Sequence, residues 1–222
     1  CDRAALALYA VDPGINGVRK LSLSAQAASS GEALVEGKTS MEVAMERPEG
    51  LALSADGSRL CVSDSAMHCV FVFDAPSLRH LRTLGRKGKA KGCLRAPDGV
   101  AIHGESVYVA DTYNHRISVF HVDGGGEAYR DPLMRAALAP GGFERTIGML
   151  GSDAGLFEFP RGVAVSGLGW LLVSEPQRVQ CLTLSGEPLQ VLRVPGAALM
   201  RGICVDDVRG VAGEVEQLEL RG

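Results

Sequence analysis

Thr83-Leu84-Gly85-Arg86-Lys87-Gly88-Lys89-Ala90-Lys91-Gly92-Cys93-Leu94-Arg95-Ala96-Pro97-Asp98-Gly99-Val100 decides the fold, because the chain writes its pattern twice. From Thr146 to Val163 the glycines, apolar residues and proline return without a gap at one separation of 63 residues (146 − 83). Gly85 meets Gly148, Gly88 meets Gly151, Gly92 meets Gly155 and Leu94 meets Phe157. Pro97-Asp98-Gly99-Val100-Ala101 meets Pro160-Arg161-Gly162-Val163-Ala164. Self-similarity at such a period marks a repeat architecture, in which each unit covers the apolar face of the next.

The lead motif Pro-x-Gly-apolar-Ala also occurs at Pro48-Glu49-Gly50-Leu51-Ala52 and, weakened, at Met200-Arg201-Gly202-Ile203-Cys204. The leads start 49, 63 and 40 residues apart, around the roughly 40–50 residues of a four-stranded propeller blade. About ten residues after each full lead comes a second apolar run ending in an acid, then a short turn and a third run. Val107-Tyr108-Val109-Ala110-Asp111 followed by Ile117-Ser118-Val119-Phe120 is the clearest copy. The same pair returns as Leu60 to Asp64 with Val70 to Phe73, and as Leu171 to Glu175 with Val179 to Leu184. Leu8 to Asp12 with Val18 to Leu21 fits too, so the chain begins inside a blade.

These runs are short, rich in β-branched and aromatic residues and bounded by Asp, Gly, Pro and Asn, which reads as strands covered on both faces. Gly57, Gly104 and Gly169 fall between first and second runs, where a tight hairpin needs positive φ. The spacing predicts an all-β propeller of four-stranded blades with five blade-like units. These are a partial blade over 1–46, blades starting at 48, 97 and 160, and a partial blade over 200–222, together an incomplete six-bladed ring in one domain.

At 46% hydrophobic and a net charge of −3, the 222 residues are neither disordered nor generally basic. No run approaches the roughly 18 apolar residues of a membrane span. Ala4 to Val11 is apolar but lacks the flanks of a signal peptide. The chain opens on Cys1 in place of Met and is read as a fragment. Six cysteines at 1, 61, 69, 93, 181 and 204 have no metal or disulfide spacing, which predicts buried thiols and favours a reducing, cytoplasmic compartment. Cys61 and Cys69, flanking one hairpin, are the pair to inspect for a bridge.

Pro97 to Ala101, Val107 to Asp111 and Asn114-His115-Arg116-Ile117-Ser118-Val119-Phe120 together resemble an NHL repeat, and Gly148 to Phe157 resembles that family's glycine-punctuated linker. The resemblance is strong over 83–184 and weaker at both ends. It implies a β-propeller, usually six-bladed in that family. It also implies four kinds of role: protein interaction, RNA reading, extracellular sensing or a metal-dependent lyase activity. Fold alone does not choose among them.

In such a blade the turn between second and third strands and the linker to the next blade emerge on one face, and function concentrates on loops held by a rigid frame. The residue after each lead proline is expected near the channel mouth: Glu49, Asp98, Arg161 and Arg201. Two acids and two arginines can pair with each other, whereas a calcium site wants six to eight oxygens. His68 and His115 hold equivalent turn positions, but a zinc site needs three or four converging ligands, and the turn at Glu175-Pro176-Gln177 has no histidine. The recurring acid, Asp12, Asp64, Asp111 and Glu175, reads as a turn cap. Without a Gly-x-Ser-x-Gly, Walker or HExxH motif, neither an enzyme nor a cofactor is expected.

From Arg82 to Arg95 the linker carries Arg82, Arg86, Lys87, Lys89, Lys91 and Arg95 and no acid, while its counterpart from Arg145 to Glu158 is net negative. The repeat itself therefore does not demand the charge. Beside Tyr113, His115 and Arg116, this basic loop offers phosphate attraction and a stacking ring, the basis of single-stranded RNA binding as the alternative to a protein partner. A metal-dependent lyase or hydrolase ranks third. The excursion from His121 to Gly142 accounts for the 63-residue spacing and is expected to hold a short helix from Pro132 to Ala139 on the opposite face.

Overall fold

The computed structural model describes residues 6–23, 34–38, 43–124, 142–194, 196 and 200–205. Three four-stranded antiparallel sheets follow one another along the chain, each with its strands in sequence order. The first contains β4 (Pro48–Leu53), β5 (Arg59–Asp64), β6 (Cys69–Asp74) and β7 (Arg79–Leu84). The second contains β8 (Val100–His103), β9 (Ser106–Asp111), β10 (Arg116–His121) and β11 (Phe143–Ile147). The third contains β12 (Val163–Val165), β13 (Trp170–Ser174), β14 (Arg178–Thr183) and β15 (Pro188–Arg193). At the N-terminal end β1 (Leu6–Asp12), β2 (Gly17–Leu23) and β3 (Leu34–Lys38) form a three-stranded sheet. These three correspond to the second, third and fourth strands of a blade, as the match of Leu8–Asp12 to Val107–Asp111 predicts. The expected helix over 132–139 lies outside the described residues.

The unbroken apolar runs have a direct cause: both faces of each inner strand are covered. Along β5, Leu60 and Val62 face a core shared with the N-terminal sheet, where Val18 and Met45 are buried, while Cys61 faces the next blade. Along β9, Val107 and Val109 pack back towards β6, and Tyr108 and Ala110 pack forward against Leu171, Val173 and Leu182. Side chains alternate across a strand with period two, so a strand between two sheets has no solvent face on which to be polar. The cores thus lie between blades. Leu94 and Phe157, the matched residues of the two linkers, are fully buried in successive cores.

The lead glycine is required by close approach. A Cβ on Gly99 would stand 2.4 Å from the Arg161 carbonyl oxygen, one on Gly162 2.3 Å from that of Arg201, and one on Gly50 2.7 Å from that of Asp98. Each lead is therefore pressed by the backbone of the following lead. Hydroxyls finish the seam: Ser63 Oγ donates to the Asp98 carbonyl, Thr112 Oγ1 to that of Pro160 at 2.8 Å, and Ser174 Oγ to that of Arg201 at 2.9 Å.

Candidate functional site

Strand direction sets which loops share a face. Ile117 pairs with Ile147, so the linker leaving β11 departs beside the turn from Thr112 to His115. Val70 pairs with Leu84, which places the basic linker beside the turn from Ser65 to His68. The basic linker then ends against the next turn, where Tyr113 N–H donates to the Arg95 carbonyl at 3.1 Å.

The two linkers share one hydrogen-bond plan, atom for atom. Leu94 N–H donates to Arg86 O at 2.8 Å, Gly88 N–H to Leu94 O at 3.0 Å and Cys93 N–H to Ala90 O at 3.0 Å. In the second linker Phe157 N–H donates to Met149 O at 2.8 Å, Gly151 N–H to Phe157 O at 3.2 Å and Leu156 N–H to Asp153 O at 3.1 Å. A parallel bridge joins Lys87 to Leu94, and another Leu150 to Phe157. The basic stretch is therefore a tied loop, which argues against a merely solvated, flexible segment.

The recurring acids do more than cap their own turns, and the turn-cap reading is corrected for two of them. Asp111 Oδ1 accepts the Arg95 N–H at 2.7 Å, and Glu175 Oε1 accepts the matched Glu158 N–H, so each fastens the linker that precedes its blade. Each acid pairs with an arginine, half-buried Arg116 and buried Arg178: Arg116 Nε lies 2.8 Å from Asp111 Oδ2, and Arg178 Nε 2.7 Å from Glu175 Oε2. The guanidiniums then hold linker carbonyls. Arg116 donates to Lys89, Ala90 and Cys93 at 3.1, 3.0 and 2.8 Å, while Arg178 donates to Gly151, Ser152 and Leu156. An acid buried without such donors would be far too costly. Burial pushes the Asp111 carboxyl above its ordinary range, against the opposing hydrogen bonds from Asn114, the Arg95 N–H and Arg116. Asp64 does both: it caps its own turn by accepting Ala66 and Met67 N–H at 3.0 and 2.8 Å, and it fastens the preceding segment by accepting the matched Glu46 N–H at 2.7 Å. Cys69 stands opposite Asp64 where Arg116 stands opposite Asp111, so this copy has no arginine clamp.

Arg116, a candidate ligand-binding residue in the sequence, is thus built into the frame. His68 and His115 are framework too. Both sit in left-handed backbone, and their Nδ1 atoms accept Ala96 N–H at 2.8 Å and Phe159 N–H at 3.2 Å, tying each turn to the linker entering the next blade. Burial lowers the pKa of His68, with Lys87 and Arg95 adding to the effect. Among the described residues no three His, Cys, Asp or Glu side chains gather where they could hold a metal.

Arg86, Lys87, Lys89 and Lys91 are exposed, and none has an ion-pair partner among the described residues. Arg95 is half-buried and reaches the Tyr113 carbonyl at 3.5 Å. Arg82 faces the other way, against Asp123. Tyr113 is 49% exposed and stands edge-on to Phe159, itself 40% exposed, with ring centroids 5.8 Å apart; the His115 ring is 4.4 Å from Phe159. Phe159 escaped the sequence reading because its match is Ala96. Met149 and Leu150, matched to Arg86 and Lys87, are 66% and 62% exposed.

At the channel, Glu49, Asp98 and Arg201 border a cavity of about 280 Å³ ringed by the four leads. The acids and arginines pair as their types suggest. Arg161 Nη1 lies 2.9 Å from Asp98 Oδ2, Arg201 Nη1 3.9 Å from Glu49 Oε2, and Arg47 Nε 3.1 Å from Glu49 Oε1. Cys61 and Cys69 do not face each other: Cys61 pairs across the ladder with Val72 and Cys69 with Asp64, and burial pushes both thiols up to about 12. No helix among the described residues is long and apolar enough to cross a membrane.

The family model for the NHL repeat matches residues 45–73 and 94–120, each span running from the end of a linker through the third strand of its blade. The chain carries NHL repeats. Hydrazine synthase of Kuenenia stuttgartiensis shares the fold at TM-score 0.57 and 18% identity, over 85% of this chain and 46% of its own. A functionally unknown protein from Desulfotomaculum acetoxidans does so at TM-score 0.55 and 17% identity, over 86% and 55%. This NHL-repeat chain spans about half the length of these structures, and at such identities the likeness concerns the propeller fold alone. No curated protein matches the chain.

Proposed function

We propose that this chain is a non-enzymatic binding platform that takes a protein partner on its turn and linker face. One observation carries the reading. Of the nine large apolar side chains exposed among the described residues, five lie on loops of that face: Met67, Tyr113, Met149, Leu150 and Phe159. Aromatic side chains lose little entropy on docking, and aromatic and methionine side chains are enriched at protein interfaces. The test is selection from a displayed random-peptide library, run against the wild type and against the variant Tyr113→Ser/Met149→Ser/Phe159→Ser. Sequences enriched on the wild type are expected to vanish on the variant; equal enrichment on both would overturn the reading.

A second reading, single-stranded RNA, is favoured by the four unpaired cations of 86–91 beside exposed Tyr113. It predicts binding that weakens steeply between two salt concentrations and is lost in Arg86→Ser/Lys87→Ser/Lys89→Ser/Lys91→Ser. Absence of RNA binding at low salt removes it.

A further inference from the structure

We infer that the partner docks through a short acidic stretch followed by apolar residues, its carboxylates on the basic linker and its apolar end on the Tyr113–Phe159 step. The inference rests on the binding-platform reading and specifies the partner's chemistry. Four cations project from a loop whose backbone is fixed by Arg116, which donates to three carbonyls between Lys89 and Cys93, and by Asn114 Nδ2, which donates to the Gly88 carbonyl at 2.9 Å. The charge is thus carried on a backbone already in place, so that on binding only the side chains remain to be ordered. Nothing in the repeat demands it, since Met149, Leu150, Ser152 and Ala154 occupy the same plan.

The surroundings select between occupants. The linker runs into Tyr113 through the Tyr113 N–H to Arg95 bond, Tyr113 packs on Phe159, and Phe159 lies two residues beyond Phe157, whose N–H is bonded to Met149 O. Positive charge therefore gives way, along one connected path, to aromatic and then aliphatic side chains. The linker at the far end also carries Asp153 and exposed Glu158. A phosphodiester chain leaving the basic loop would meet apolar side chains and then like charge; a peptide that is acidic at one end and apolar at the other meets a complement at each.

The probe is a fluorescein-labelled synthetic peptide of alternating Asp and Glu followed by Gly, Leu, Leu and Phe. Its controls are a version with the acids changed to Gln, a version with the apolar residues changed to Ser, and an oligouridine of similar length. By fluorescence anisotropy the full peptide is expected to bind about tenfold more tightly than either altered version. Arg86→Ser/Lys87→Ser/Lys89→Ser/Lys91→Ser should weaken it about tenfold or more and remove most of its salt dependence. Phe159→Ala should weaken it about tenfold with the salt dependence unchanged; alanine is already accommodated at the matched left-handed position, Ala96. Binding equal to that of the Gln version, or oligouridine binding more tightly than the peptide and lost in the same quadruple variant, would overturn the inference. The two readings fail separately. Face-dependent library peptides without acids would leave the platform standing and remove the acidic partner, whereas no face-dependent peptide of any kind would remove both.

Discussion

The linkers 85–97 and 148–160 have the same backbone and opposite surfaces. Hydrogen bonds, bridge, buried Leu94 or Phe157, and acid–arginine clamp coincide between them, yet one displays Arg86, Lys87, Lys89 and Lys91 and the other Met149, Leu150, Ser152 and Ala154. What folding needs is confined to glycines, main-chain groups and inward side chains. The outward positions are left to function. That division can be broken or sharpened by substitution on each side of it.

The largest effect is expected at the clamps. Asp111→Ala leaves the half-buried Arg116 without its carboxylate and frees the Arg95 N–H, and Glu175→Ala takes the carboxylate from buried Arg178 and frees the Glu158 N–H. Each should cost about 3 kcal/mol or more in denaturant unfolding, by similar amounts. A loss at one position alone would mean that the linkers are not equivalent. Next come the leads that follow the linkers. Gly99→Ala and Gly162→Ala each drive a Cβ against the backbone of the following lead and should cost about 2 kcal/mol or more, whereas Gly202→Ala, with open space at its Cβ, should be near neutral.

Much of this was legible in the sequence, for reasons that differ by residue. The glycines at 85, 88 and 92 and the lead residues Pro97 and Gly99 recur 63 residues on because backbone geometry demands them, and demands of that kind leave the same letters in both linkers. The clamp was harder to see. Asp111 and Glu175 lie 64 residues apart, Arg116 and Arg178 only 62, so neither falls on the 63-residue register, although an arginine three to five residues after the acid was the available signal. The exposed aromatic step was hidden for the opposite reason: Phe159 is free to vary, as Ala96 shows, and a repeat cannot announce what it does not share. The histidines misled by type, since a ring Nδ1 that accepts a backbone N–H is invisible until the neighbouring blade is in place.

A smaller effect separates the two seams by pH. The folded-state pKa of His68 is depressed, first by burial, so its neutral form contributes stability that is present above the unfolded value of about 6.5 and lost as pH falls through the folded value. His68→Gln keeps an acceptor that does not titrate. The stability difference between wild type and His68→Gln is therefore expected to shift against the wild type as pH falls below about 6.5; a difference that stays constant from pH 7.5 to 5 would remove His68 from the seam.

The most direct test of the division between frame and display is to write the second linker's surface onto the first, as Arg86→Met/Lys87→Leu/Lys89→Ser/Lys91→Ala, and to measure Tm by calorimetry beside Asp111→Ala. The exchange should move Tm by no more than about 3 °C, while Asp111→Ala lowers it by about 10 °C. A fall as large for the exchange as for Asp111→Ala would show that the charges belong to the fold, and would contradict the account.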